Sequence, residues 1–158
     1  MMWSLFLRNL FFTILQPGLV AGLFPYLILG NPDMATFKNN LGPFQYIAIF
    51  IFAVGVIILF YCISMFAIKG KGTLSPADPT NKLVVSGIYK YSRNPMYIGV
   101  MFILIGEAIF FGSTMLWIYT GFVFIAFNLF IVLHEEPRLK RDFGAEYEQY
   151  LKSVRRWL

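Results

Sequence analysis

The chain has 158 residues, of which 58% are hydrophobic and only 13% are charged. A soluble domain of this length carries about twice that share of charge, so the composition excludes an ordinary soluble protein and indicates an integral membrane protein. The length predicts one domain covering residues 1–158. The formal charge of +5 could suggest nucleic acid, but in a membrane protein basic residues more often set topology. The single cysteine, Cys62, lies in an apolar run, which excludes a disulfide framework and a cysteine-based metal site.

The N-terminal part of the chain, residues 1–68, predicts two transmembrane helices. Residues 10–29 are apolar and long enough to cross a bilayer, with a kink expected at Gln16-Pro17-Gly18. A cleaved signal peptide is the alternative for this stretch, although no clear cleavage site precedes a soluble domain. Residues 44–68 carry no formal charge and form the clearest span.

The remaining part, residues 69–158, predicts a loop, a helical hairpin and a tail. Lys69-Gly70-Lys71-Gly72 ends the second span, and residues 73–85 read as an ordered, functional loop, with a plain connector as the alternative. The apolar segments 96–111 and 114–133 flank Gly112-Ser113, a turn signal, and form the hairpin. The fold class is therefore an all-α membrane protein with about four transmembrane helices.

The tail, residues 137–158, has apolar and aromatic residues at spacings of three and four, with basic residues between them. This pattern predicts an amphipathic cytoplasmic helix that lies on an anionic membrane surface or packs over the hairpin. Gly144 could break this helix into two pieces.

The basic residues predict the orientation. Of the thirteen lysines and arginines, all except Lys38 lie in the N-terminal lead, the 69–95 loop or the tail. By the positive-inside rule, both termini and the central loop face the cytoplasm. This multi-pass topology places residues 87–99 and 134–136 on the same side of the membrane.

The stretch from Gly87 to Gly99 combines glycines, three tyrosines and an arginine between two apolar runs. Asn94-Pro95 predicts an N-cap followed by a first-turn proline, so a helix should begin here. A helix N-terminus beside Arg93 suits a carboxylate or a phosphate. The alternative is a capped transmembrane helix with an interfacial aromatic belt.

His134-Glu135-Glu136-Pro137 follows the fourth apolar segment directly. The carboxylates could form an anionic wall opposite Arg93, in a pocket for a zwitterion with tyrosines at its sides. Alternatively, Pro137 opens the tail helix and the glutamates are its favourable N-terminal neighbours. His134 is the only histidine and thus a candidate base, although an exposed interfacial histidine is the more ordinary reading.

These blocks together resemble the isoprenylcysteine carboxyl methyltransferase family, which belongs to a wider group with the phospholipid methyltransferases. The resemblance covers roughly residues 70–158. Its pattern is Gly87-x-Tyr89, Arg93-Asn94-Pro95-x-Tyr97-x-Gly99 and, after the apolar hairpin, Glu135-Glu136-Pro137-x-Leu139 with Phe143-Gly144, Tyr147 and Tyr150.

The resemblance implies an S-adenosylmethionine-dependent methyltransferase that acts on a lipid or lipophilic small-molecule acceptor among membrane lipids, without a metal or nucleic acid. It implies catalytic roles for Arg93, Glu135 and His134. It implies cofactor binding by Gly87, Tyr89, Arg93, Asn94, Pro95, Tyr97, Gly99, His134, Glu135 and Glu136.

Two departures weaken the inference of prenylcysteine methylation relative to that of cofactor binding. Eukaryotic members usually have histidine where this chain has Asn94, and asparagine cannot titrate near neutrality. They also place arginines before the glutamates, where this chain has Leu129 and Ile131.

Two other function classes remain open from the sequence. An NADPH-dependent membrane reductase of the sterol-reductase type shares a related C-terminal part, and a non-enzymatic scaffold would use the same motifs only to cap helices. Glu107 and Asn128 are polar residues inside apolar segments. Glu107 is predicted to reach the far interface and Asn128 to form an interhelical hydrogen bond.

Overall fold

A computed structural model describes residues 17–30, 32, 41–65 and 83–157. Regular structure in these residues is helical and includes no strand, which confirms the all-α prediction. Residues 10–16, residues 66–72 and most of the predicted 73–85 loop lie outside them. The helices are a π-helical turn Leu19–Leu23, α1 Phe24–Leu29, α2 Pro43–Met65, a 3₁₀ turn Gly87–Lys90, α3 Pro95–Phe111, α4 Thr114–Phe130, a second π-helical turn Ile131–Glu135 and α5 Glu136–Ser153.

Two of the described helices are long and apolar enough to cross a membrane. One is α2, and the other is the continuous helix Thr114–Ser153, whose apolar part is residues 114–133. The helical stretches Leu19–Leu29 and Pro95–Phe111 are also apolar but shorter. The arrangement of four spans therefore stays a prediction.

Helices α2 and α3 pack antiparallel through small residues. Gly55 lies against Gly99, and Ala48 lies against Gly106, so the two pairs are separated by the same seven residues on each helix. A Cβ added at Gly55 would lie 2.7 Å from the carbonyl oxygen of Gly99. Small residues at such positions let two backbones approach closely in a membrane, where van der Waals packing drives helix association.

The predicted turn between α3 and α4 is confirmed. Gly112 has a φ of +58°, in the left-handed region that favours glycine. Ser113 then caps α4, because its Oγ accepts a hydrogen bond from the backbone N–H of Leu116 at 3.3 Å. The two residues thus end one helix and begin the next.

Helix α4 continues into α5 without a break, which differs from a tail helix that starts separately at Pro137. Proline has no N–H to donate to the preceding turn, and the backbone just before Pro137 widens into the π-helical turn Ile131–Glu135. Gly144 has non-helical dihedral angles inside α5, so the predicted break is confirmed. Tyr147 and Tyr150 beyond this break are buried, as expected if the tail packs over the hairpin.

The buried core lies mainly along α3. Val100, Leu104 and neighbouring residues pack with Leu59 of α2 and Val123 of α4. A second cluster joins the end of α2 to the loop before α3, through Cys62 and Tyr89. This second cluster fixes the loop that carries Arg93.

We expect Gly55→Ala to destabilise the protein, because the new methyl group would meet the backbone of α3 rather than a movable side chain. Overpacking of this kind costs about 1–3 kcal/mol. Thermal unfolding in detergent measures the effect. Gly121→Ala is the matched control, since a Cβ there meets nothing within 4 Å. Equal midpoints for the two variants would contradict the close α2–α3 contact.

Candidate active site

The loop before α3 is held by two backbone features. Gly87 has a φ of +64°, in the left-handed region that favours glycine, and an added Cβ would force the hydroxyl end of the Tyr61 side chain on α2 to move. Tyr89 is buried in the second core cluster, and burial raises the pKa of its hydroxyl well above the usual value. The carbonyl oxygen of Tyr89 accepts a hydrogen bond from the hydroxyl of Tyr150 at 2.6 Å, which joins the loop to α5.

Helix α3 begins at Pro95, as predicted, with Asn94 at the N-cap position. The side chain of Asn94 does not cap the helix. Its Nδ2 donates instead to the carbonyl oxygen of Arg156 at 3.0 Å, while its backbone N–H donates to Ser92 Oγ at 3.1 Å. Asn94 therefore connects the start of α3 to the C-terminal segment.

Glu136 lies between two arginines from distant parts of the chain. Arg93 Nη1 donates to its Oε1 at 3.0 Å, and Arg156 donates through Nε and Nη2 to both carboxylate oxygens at 2.9 and 3.0 Å. The side chains of Arg93 and Glu136 are only 11% and 15% exposed. The bidentate geometry is the strong form of an arginine–carboxylate pair, and this bond raises the pKa of Arg156.

Glu135 belongs to the same cluster but has a different partner. Its Oε2 accepts a hydrogen bond from the hydroxyl of Tyr97 at 2.9 Å. The ring of Tyr97 packs against Phe127 with the centroids 4.7 Å apart, which fixes the hydroxyl in place. Arg138 lies close enough for its positive charge to act on Glu135.

The last described residues, 154–157, cover one side of this cluster. The carbonyl oxygen of Arg155 accepts a hydrogen bond from the backbone N–H of Arg93 at 3.0 Å, and that of Arg156 accepts one from Ser92 Oγ at 3.3 Å. Trp157 then donates from Nε1 to Asn128 Oδ1 at 3.1 Å. Asn128 thus uses its side chain in a long-range hydrogen bond, although its partner is the C-terminal segment rather than another span.

The structure brings together the two predicted blocks. Arg93, Tyr97, Glu135 and Glu136 share one polar cluster at the end of the apolar helices. Arg93 does not present a free guanidinium, because Glu136 already pairs with Nη1. Its Nε is buried and has no hydrogen-bond partner among the described residues.

Other residues of the predicted site lie outside this cluster. Gly99 is used in the contact with α2, and Tyr89 is a core residue. His134 is exposed and stacks on the ring of Phe130 one turn earlier, with centroids 5.6 Å apart. Tyr91 is 76% exposed, so the three tyrosines do not line one pocket.

Sequence reasoning missed Arg156, Trp157 and Ser92 as members of the cluster. The basic spacing of the tail indicated a membrane surface or packing over the hairpin, but it identified no partner for Arg156. Its true partner is 20 residues away across the break at Gly144, and no local pattern identifies such a contact.

We expect Arg156→Ala to destabilise the protein by about 1 kcal/mol, because it removes two hydrogen bonds from a largely buried carboxylate while Arg93 remains. The midpoint of thermal unfolding in detergent measures this loss. Arg155→Ala is the matched control, since that side chain is exposed and its backbone carbonyl is retained. An unchanged midpoint for Arg156→Ala would contradict the ion pair.

Comparison with known proteins gives a consistent result. The family described as phospholipid methyltransferase matches residues 44–146, which is more than half of the chain and includes α2. An uncharacterized protein of Haemophilus influenzae is 33% identical over 63 residues, covering 40% of this chain and all of that protein.

A second relative is the protein-S-isoprenylcysteine O-methyltransferase of Schizosaccharomyces pombe, which is 32% identical over 80 residues. The match covers 51% of this chain but only 34% of that enzyme, so the chain spans about a third of the enzyme's length. No solved structure matches. The family match, the enzyme relative and the apolar helices together show that the chain belongs to the phospholipid methyltransferase family, a family of membrane methyltransferases.

Proposed function

We propose that this protein is an S-adenosylmethionine-dependent methyltransferase that acts on a lipid or lipophilic acceptor at the cytoplasmic face of the membrane. The observation that carries the proposal is the cluster in which a family motif from the loop, Arg93 to Tyr97, meets the paired glutamates after α4. Membership of the family supports methyl transfer. The concentration of lysines and arginines in the same loops supports the cytoplasmic face.

The residues of the cluster fit the cofactor by charge. S-adenosylmethionine carries a sulfonium, an ammonium and a carboxylate. Glu135 offers a carboxylate for the cationic groups, since the hydrogen bond from Tyr97 uses only one of its oxygens in the described residues. Arg93 and Arg138 each have a buried Nε without a hydrogen-bond partner among the described residues, and a carboxylate would satisfy either.

The bound cofactor would supply an activated methyl group, and its transfer to a nucleophilic atom of the acceptor would leave the cofactor's sulfur as a neutral thioether. The contribution of the chain is to position the two reactants and to keep their geometry fixed. Glu136 does so indirectly, because its pairs with Arg93 and Arg156 hold the loop, α5 and the C-terminal segment together. The acceptor would enter laterally from the lipid, since the cluster lies at the end of the apolar helices.

Equilibrium binding of S-adenosylmethionine, and of its demethylated product, to the detergent-purified protein tests the cofactor. We expect Glu135→Gln and Arg138→Gln each to weaken binding at least tenfold, which is about 1.4 kcal/mol. Glu148→Gln is the matched control, since it removes the same charge from an exposed site on α5. Unchanged affinity in both site variants, or no binding to a wild-type protein that melts cooperatively, would overturn the proposal.

We further propose that His134 acts on the acceptor rather than on the cofactor, because its ring is exposed and it precedes Glu135 directly in the chain. Neutral imidazole can accept the proton that an attacking nucleophile loses. His134→Gln is then expected to lower kcat for methyl transfer by 10²-fold or more, with cofactor affinity unchanged. Full activity in this variant would show that the histidine is only an interfacial residue.

A further inference from the structure

A cavity of about 390 Å³ lies at the other end of α3 from the Arg93–Glu136 pair. Gly22, Pro25 and Tyr26 line it from the first helical stretch, and Glu107 and Phe111 line it from α3. Its size falls within the range of small-molecule sites, and the described residues that line it are mainly apolar and aromatic with one carboxylate among them, which is the usual composition of such sites.

Glu107 is the feature of this cavity that requires a partner. Its Oε2 is buried and has no hydrogen-bond partner among the described residues. Tyr119 lies near Glu107, but its hydroxyl donates to the carbonyl oxygen of Val20 at 2.8 Å. In the part of the chain that the structure describes, no lysine or arginine pairs with Glu107. Glu107 as a whole is partly buried, and a carboxyl group with an unsatisfied buried oxygen inside an apolar segment is a candidate for a functional role.

The position of Glu107 along α3 separates this cavity from the candidate active site. Glu107 follows Pro95 by twelve residues, so the two lie about 18 Å apart along the helix axis. It precedes the helix end at Phe111 by four residues, or about 6 Å. A group bound at Glu107 is therefore near the membrane surface opposite the cluster, within reach of a headgroup.

We propose that this cavity binds the primary ammonium group of an amphiphile. An ammonium N–H would satisfy Oε2 of Glu107 and balance its charge, and the rings of Tyr26 and Phe111 would favour a cation beside them. A trimethylammonium group lacks the N–H that the orphaned oxygen needs, and an anionic headgroup would be repelled. The site is separate from methyl transfer and stands whether or not that function does.

The test adds one lipid at a time to the full chain in detergent and follows the midpoint of thermal unfolding. Dioleoyl phosphatidylethanolamine carries the primary ammonium, and dioleoyl phosphatidylglycerol is the anionic comparison. Because a ligand that binds only the folded state stabilises it, we expect the ethanolamine lipid to raise the wild-type midpoint by about 4 °C more than the glycerol lipid does. Soluble glycerophosphoethanolamine distinguishes the source, since an equal shift with it would assign the site to a soluble amine rather than a lipid.

Two variants test the site by different means. Glu107→Gln removes the charge, and Gly22→Leu fills the cavity at a position where an added Cβ meets nothing within 4 Å. Both are expected to abolish the selective shift, while Glu148→Gln and Gly121→Leu retain it. If Glu107→Gln does not fold, Gly22→Leu decides the matter alone. Equal shifts with the two lipids, or a selective shift that survives Gly22→Leu, would overturn the proposal.

Discussion

The ion pairs of Glu136 are the interaction on which the rest of the site depends. A carboxylate buried at the end of a set of apolar helices is stable only when its charge and hydrogen bonds are satisfied. Arg93 and Arg156 satisfy it from opposite directions along the chain, one from the loop before α3 and one from the C-terminal segment. The same contacts bring Glu135 to Tyr97. Glu136, which stabilises the structure, and Glu135, which we propose to contact the cofactor, are therefore neighbours in the chain.

The carboxylates at the two ends of α3 differ in whether their oxygens have hydrogen-bond donors. At its start, each described carboxylate has a donor from another element. The backbone carbonyls of residues 155 and 156 accept hydrogen bonds from Arg93 and Asn94. Near its end, Glu107 has an oxygen that no described residue satisfies. Close packing against α2 through Gly55, Gly99 and Gly106 fixes the helix between them. One helix therefore carries a cluster whose carboxylates are paired and, near its other end, a carboxylate with an unsatisfied oxygen.

The sequence predicted the features that local chemistry determines. Gly112-Ser113, Asn94-Pro95 and Gly144 each act within a turn of the backbone, and the structure confirms the helix ends and the break that they predicted. The juxtaposition of the two motifs also followed, because helices that span a membrane in alternating directions must place them on one side. The partnership of Glu136 with Arg156 could not be predicted, since it depends on how the chain turns after Gly144.

For Gly99, the predicted role in cofactor binding stays a prediction, and the structure shows a packing role. Glycine permits close approach of any group, and the sequence does not say whether that group is a ligand or a helix. In the structure it is the backbone of α2. Asn94 shows the same ambiguity, because the residue occupies the N-cap position while its side chain binds the C-terminal segment.

The most direct test of the central claim is methyl transfer itself. The purified chain, reconstituted into vesicles of a bacterial lipid extract, would be incubated with S-adenosylmethionine labelled in its methyl group, and the label recovered in the organic phase would be measured. The account predicts labelled lipophilic product with the wild type and at least a tenfold lower yield with Glu135→Gln. Label confined to water-soluble products, or equal yields from the two proteins, would contradict it.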